Sequence, residues 1–308
     1  MKKIIVRLKG GLGNQMFQYA AGRSLALKNG MELVLDIRSG FIFDNVYQRN
    51  YSLNCFSLGA AHAKLRQMAP FVYERILDKI CLSLGNMFRQ RPWGLYIYER
   101  EPRYFREIND VDFQHDIYMD GYWQTERYFL EHKQMICIEL MPPVPCKDRI
   151  LKMCKIIEKN NSVAVGVRLF EEMPVGDRHL VGGMAPLSFY EEAAAQMADK
   201  IKNPVFFVFC TNSDAIKSSL NLRGTIYYLT DDEGYENAMD SLWLMSMCRH
   251  HILSNSSFYW WGAYLAEQRY NNSIVISCDQ FANVDCIPDR WASISTKPAD
   301  SENVIINF

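Results

Sequence analysis

The chain has 308 residues, 49% of them apolar and 22% charged, with a formal net charge of −1. That length suggests two domains of about 150 residues, the apolar share is ample for a core, and the near-neutral charge excludes long-range attraction to nucleic acid. Nine cysteines without a Cys-x-x-Cys pair, and six histidines without ligand spacing, fit reduced cytosolic thiols better than a disulfide frame or a zinc site, and no structural metal is expected. No apolar run approaches the roughly 18 residues that span a bilayer, so neither secretion nor insertion is expected.

In chain order, Ile4 to Leu8 reads as a strand, Gly10-Gly11-Leu12-Gly13-Asn14-Gln15 as a glycine turn, and Met16 to Asn29 as a helix. Glycine tolerates positive φ, so the chain reverses tightly and the first helical N–H groups point at whatever fills the crevice. Such a place attracts phosphate or a sugar hydroxyl. A triphosphatase loop would end in Gly-Lys-Ser/Thr, whereas this one ends in Gly13-Asn14-Gln15. A dinucleotide fold needs a third glycine where Met16 stands, although Asp36 does end a plausible second strand. What remains is two amides, Asn14 and Gln15, able to donate and accept hydrogen bonds; a plain capped turn is the alternative.

Amphipathic helical stretches are expected around Ala61 to Met68 and Phe71 to Leu84. An aromatic strip follows, with Trp93, Tyr96, Tyr98, Tyr104 and Phe105, ending in Gly121-Tyr122-Trp123-Gln124 and Tyr128-Phe129. Met141-Pro142-Pro143-Val144-Pro145 can continue neither a helix nor a central strand. It reads as a linker, which divides the chain into domains 1–145 and 146–308.

Beyond it, apolar runs at Val163–Val167, Val205–Phe209, Thr225–Leu229 and Ile274–Ile276 alternate with helical stretches. Ser188-Phe189-Tyr190-Glu191 has the form of a capping box. Alternating strands and helices imply an α/β fold with a doubly wound parallel sheet, and ligands of such sheets sit outside the carboxyl ends of the strands. Arg168 directly follows one run, placed either to meet a phosphate in a bidentate way or to pair at the surface with Glu171 or Glu172. His251-Ile252-Leu253 runs out into Ser254-Asn255-Ser256-Ser257 where a helix begins, supplying caps, anion donors or both. Trp260 and Trp261 read as core. Asp231-Asp232-Glu233 lacks the Asp-x-Asp spacing of a metal-dependent transferase and reads as an acidic turn before a helix.

Together, Gly10 through Ala20, Gly121-Tyr122-Trp123-Gln124 with Tyr128-Phe129, and Leu242-Trp243-Leu244-Met245 through Asn255-Ser256-Ser257-Phe258-Tyr259-Trp260-Trp261-Gly262-Ala263 resemble the α-1,2-fucosyltransferases of glycosyltransferase family 11. The likeness runs over nearly the whole chain. It implies a GT-B-like architecture of two Rossmann-like domains and a transferase that needs no metal or cofactor. Such an enzyme moves L-fucose from GDP-β-L-fucose to the 2-hydroxyl of a galactoside, inverting the anomeric centre. The partners implied are GDP-fucose and a galactose-containing glycan that is often lipid-linked. The location implied is cytoplasmic, with peripheral contact at the inner membrane face left open.

On that resemblance, Arg168 is expected at the β-phosphate and Asn14 at the diphosphate or the transferring sugar. Gly11, Gly13 and Gln15, on the glycine turn of the acceptor-side domain, would help bind the donor, Ser256 and Ser257 would hold phosphate oxygens, and Phe258 would pack beside the nucleotide. Tyr122 and Trp123 offer faces for a pyranose, or core. Two departures stand out. The family pattern His-x-Arg-Arg-Gly-Asp-Tyr here reads Gly166-Val167-Arg168-Leu169-Phe170-Glu171-Glu172, leaving Glu171 either as base or orienting group, or as a solvated loop carboxylate. Its Ser-Asp-Asp here reads Cys210-Thr211-Asn212, with Asn212 left for the guanine edge. These changes keep two rivals open: a transferase using another nucleotide sugar, and a carbohydrate-binding relative without turnover.

Overall fold

The computed structural model describes residues 1–42, 44–45, 47–80, 87–111, 113–168 and 185–296. The first half supplies β1 (Lys3–Arg7), α1 (Leu12–Lys28), β2 (Glu32–Asp36), β3 (Ala61–His62), α2 (Ala69–Ile80), β4 (Phe88–Arg91), β5 (Gly94–Tyr98) and β6 (Ile117–Asp120). These strands form one six-stranded sheet in the order β3-β2-β1-β6-β5-β4, parallel except for the β4–β5 pair. β1 lies at its centre because Ile4, Ile5 and Val6 are apolar on both faces and all are buried.

The expected helix at 61–68 is not there. Ala61 and His62 instead pair with β2, and a 3₁₀ turn at Leu65–Gln67 leads into α2. The physical reason is Pro70, which has no N–H to continue a helix from upstream but is tolerated in a first turn, so α2 starts at Ala69.

The second half supplies α3 (Lys133–Glu139), α4 (Asp148–Glu158), β7 (Asn161–Gly166), α5 (Leu187–Lys200), β8 (Pro204–Cys210), α6 (Asp214–Lys217), β9 (Thr225–Thr230), α7 (Ala238–Met247), β10 (His250–Leu253), α8 (Ser257–Ala266), β11 (Val275–Cys278) and β12 (Ala292–Ile294). Its sheet runs β12-β11-β10-β7-β8-β9, all parallel. Counted from β7, that is the doubly wound order third, second, first, fourth, fifth, sixth. The capping box expected at Ser188 does not form, because extended Pro186 caps α5 and leaves Ser188 inside the first turn.

One apolar core joins the two halves through α1 and α8. The Phe17 ring lies 4.5 Å from Trp260 and 5.2 Å from Trp261, both tryptophans being fully buried. Polar ties reinforce this seam: Arg127 pairs with Asp285, and Arg290 with Glu126. Among the described residues, no helix is long and apolar enough to cross a membrane.

Candidate active site

Each sheet has a switch point where its strand order reverses, and each switch point opens a crevice beyond the carboxyl ends of the strands. In the first sheet it lies between β1 and β6. The segments leaving those strands are Leu8 through Asn14 and Gly121 through Gln124. In the second sheet it lies between β7 and β10, which lead into Val167-Arg168 and Ser254 through Ser257. All four segments carry residues expected from the sequence to form the site.

Asn14 joins the two crevices. Its Oδ1 accepts hydrogen bonds from Gln124 Nε2 of the first half and from Ser257 Oγ of the second, both at 2.7 Å. The approach is close because Gly13 has no side chain. A β-carbon there would overlap the Ser257 carbonyl carbon and sit 2.5 Å from the Phe258 nitrogen. Trp261 Nε1 donates to the Gly13 carbonyl at 3.1 Å and fixes the contact. Gly13 therefore serves main-chain proximity inside α1, while the positive φ of this turn belongs to Gly10, at 74°. Gly11 caps α1 and has open space where a side chain would go. The close helix-to-strand packing that a third turn glycine would supply is provided by Gly22, where a β-carbon would overlap a Val6 methyl.

Gln15 is not a crevice residue. It is fully buried, with Nε2 donating to the carbonyls of Gly10 and Asn50 and Oε1 accepting from the Ser52 amide. Its amide is consumed in tying the glycine turn to the loop after β2, so it holds the turn in shape. Asp36 is likewise engaged, accepting from Ser39, Arg38 N and the Tyr118 hydroxyl.

In the second crevice, Arg168 is half-buried, and its Nη1 donates to the Asn255 carbonyl at 3.4 Å, which draws the guanidinium to the hydroxyl-rich start of α8. Ser256 is the N-cap of α8 but makes no side-chain cap bond, and the Ser257 hydroxyl goes to Asn14, so neither serine caps the helix. Phe258 is half-buried in the first turn. Asn212 is exposed beyond β8, and its Oδ1 accepts from the Asp214 amide. Glu171 lies outside the described residues.

Tyr122 and Trp123 part company. Tyr122 is 41% exposed and faces the crevice, with Lys9 Nζ 4.8 Å from its ring centroid. Trp123 is fully buried edge-on against Tyr128, which removes it as a sugar platform. Its backbone explains the difference: φ is 55°, a left-handed conformation that a bulky residue adopts only under constraint. Glu99, just past β5, supplies the constraint by accepting the N–H groups of both Tyr122 and Trp123.

Glu99 belongs to a polar floor that sequence reasoning missed, although its charged members, Arg7, Lys9, Glu99 and Asp120, sit at or just past the carboxyl ends of strands. Asp120 accepts from Arg7 at 3.1 Å, Lys9 at 2.8 Å and the Tyr96 hydroxyl at 2.9 Å. Burial alone would raise the Asp120 carboxyl, but Lys9 and Arg7 outweigh it and hold it below the usual carboxylate range. At Glu99 burial prevails over its two amide donors and pushes the carboxyl above its ordinary value. Tyr259 was missed too. Its hydroxyl donates to the carbonyls of Val167 and Phe209 and ties the ends of β7 and β8 together. Its ring fills the space over Gly166, where a β-carbon would overlap it, so the position that holds histidine in the family pattern is occupied here from α8.

Two Rossmann-like sheets whose switch-point crevices meet at one shared asparagine define a GT-B glycosyltransferase fold. The chain belongs to glycosyltransferase family 11, the model of Glycosyl transferase family 11 matching residues 3–285. It is 30% identical over 308 residues to an alpha-1,2-colitosyltransferase of Escherichia coli, covering 96% of this chain and 99% of that one. It is 26% identical over 292 residues to the O-antigen biosynthesis glycosyltransferase WbnK of Escherichia coli, covering 88% and 92%. Among solved structures, the fucosyltransferase NodZ from Bradyrhizobium aligns with a TM-score of 0.48 at 15% identity, covering 85% of this chain and 92% of that one.

Proposed function

We propose that this glycosyltransferase is an inverting, metal-independent α-1,2-fucosyltransferase. It moves L-fucose from GDP-β-L-fucose to the 2-hydroxyl of a galactoside in a surface glycan or oligosaccharide. The observation that carries the reading is the meeting of the two crevices at Asn14, with Arg168 drawn to the start of α8 on one side and Tyr122 exposed on the other. The acceptor oxygen attacks the anomeric carbon from the face opposite GDP. The bond to the β-phosphate breaks and its electron pair leaves with GDP, while the hydroxyl proton passes to a base, for which Glu171 is the candidate. A cation fixed beside the departing phosphate stabilises the charge that develops there, which is the role given to Arg168. The first turn of α8, with Ser256 and Ser257, adds hydroxyl and main-chain donors for phosphate oxygens, and Phe258 flanks the nucleotide.

A second reading, colitosyl transfer, is favoured by the likeness to the colitosyltransferase. Colitose is L-fucose without its 3-hydroxyl, so the two readings differ by one hydrogen-bonding group. A site built to bond that hydroxyl rejects the deoxy sugar by about 10⁴-fold or more, whereas an apolar site rejects the hydroxylated sugar by only about 10². Mass spectrometry of products from GDP-fucose and GDP-colitose with a panel of galactosides reads this ratio. Calorimetry with GDP covers the remaining possibility: glycan binding without nucleotide affinity would replace both readings with a carbohydrate-binding protein.

A further inference from the structure

Asn14 uses only one end of its side chain on the protein. An amide oxygen has two lone pairs, and both on Asn14 Oδ1 are taken, by Gln124 Nε2 and Ser257 Oγ at 2.7 Å each. The other end, Nδ2, carries two N–H groups and has no partner among the described residues. Gln124 is in a similar position: Nε2 reaches Asn14, and Oε1 accepts from nothing among the described residues. The two amides together thus leave N–H groups and an oxygen unused. Turning both over at once, with Ser257 accepting instead of donating, only exchanges which residue supplies which; a donor and an acceptor still remain.

Their surroundings point to what they meet. Both residues are half-buried. A β-carbon on Gly10 would stand 2.6 Å from Asn14 Nδ2 and 3.3 Å from Tyr122 Cε1, so the free end of Asn14 lies over bare main chain beside the exposed Tyr122 ring, in the first crevice. A hydroxyl donates and accepts at once, and so answers both amides; a ring oxygen, a glycosidic oxygen or an ionised phosphate oxygen only accepts. The Tyr122 ring adds an apolar face for the C–H side of the same sugar.

Both amides also stand on fixed backbone. Asn14 is in the first turn of α1, directly after the glycine seated on α8, and Gln124 follows the turn that Glu99 holds through the Tyr122 and Trp123 N–H groups. Groups held in place before a ligand arrives lose little freedom in binding it.

We propose that Gln124 is an acceptor-binding residue, which forms with Asn14 a paired amide that reads one hydroxyl of the acceptor sugar where the two crevices meet. The kind of sugar rests on the transferase reading of the same site. Titration of the full chain, in saturating GDP, with methyl β-galactopyranoside and its 2-, 3-, 4- and 6-deoxy analogues gives the penalty for losing each hydroxyl. We expect one analogue to bind the native chain about tenfold more weakly than the parent sugar, and that penalty to vanish in Gln124→Met, which keeps the side-chain length and removes both polar atoms. Gln124→Glu can keep its bond to Asn14 by turning that amide over, but it leaves two oxygens and no N–H for the sugar. It should keep the native melting temperature and bind the parent sugar about tenfold more weakly. The proposal is overturned if no analogue is penalised in the native chain, or if every penalty persists in Gln124→Met. It is overturned equally if Gln124→Glu binds like the native chain, since Gln124 would then only brace Asn14. Each of these results leaves the transferase reading intact, whereas a native chain that binds no galactoside removes the galactoside reading and this hydroxyl site with it.

Discussion

The two switch-point crevices share a geometry but not a charge balance. In the first, every cation has a carboxylate: Arg7 and Lys9 both sit on Asp120, and Asp36 is closed off by Ser39 and Tyr118. In the second, Arg168 donates to a carbonyl, and among the described residues no carboxylate pairs with it. A crevice whose cations are both held on a carboxylate suits an uncharged polyol bound through hydroxyls. One holding a guanidinium beside a helix start suits an anion that gains charge as it departs. The proposed division of labour between acceptor and donor rests on this difference in how each half partners its ionic side chains.

The largest expected effect comes from forcing the crevices apart. Gly13→Ala puts a methyl group into the main chain of Ser257 and Phe258, which cannot rotate away. We expect a loss of about 3 kcal/mol or more in denaturant unfolding, at the upper end for overpacking, with collapse of turnover. Gly11→Ala is the matched control, because open space surrounds that position; it should leave stability within about 0.5 kcal/mol of native and report only on what binds there. Equal stabilities for the two variants would show that the halves are not held by this contact.

Next in size is the charge asymmetry itself. Arg168→Ala should lower turnover by about 10²-fold or more and abolish GDP binding in calorimetry, with folding intact. Arg168→Lys should recover only part of it, because an ammonium cannot reproduce the bidentate fork. An Ala variant with native turnover would mean that the second crevice is not the donor side. Asn14→Ala, which removes the acceptor shared by Gln124 and Ser257, should cost about 2 kcal/mol of stability, roughly one per hydrogen bond, together with activity. Stability lost without activity would make Asn14 a strut between the crevices and nothing more.

How much of this was legible beforehand depends on the range of the interaction. The second sheet could be read because its central strands are buried on both faces and appear as continuous apolar runs; all four expected runs coincide with strands. The site could be located because ligands gather at strand ends, and Asn14, Tyr122, Arg168 and Ser257 all lie just beyond them. What escaped depends on partners distant in the chain. Nothing local to Gln15 announces Asn50 and Ser52, and nothing local to Gly166 announces a tyrosine 93 positions later. Trp123 was ambiguous because an aromatic beside a crevice serves equally as platform or core, and only its left-handed backbone, held by Glu99, decides for core.

The smallest effect concerns two carboxylates of the first crevice that respond oppositely to pH. Asp120 is held low, so its contribution to stability is present at neutral pH and is lost as pH falls through its folded value. Glu99 is pushed up, so the folded state binds its proton more tightly than the unfolded state does. Its contribution is present at acid pH and is lost as pH rises past the folded value. Glu99→Gln should therefore flatten stability against pH on the weakly acidic side without lowering it at pH 7, since a buried charge is removed while one oxygen still accepts an amide. Glu99→Ala forfeits both acceptors and releases the strained Trp123 turn that aims Gln124 at Asn14. If Glu99 only positions that turn, Gln retains turnover and Ala loses it; if Glu99 takes the acceptor proton, Gln fails as completely as Ala. Turnover of the two variants from pH 5 to 8 separates a scaffold carboxylate from a catalytic one, and the geometry, with both its oxygens already given to main-chain donors, favours the scaffold.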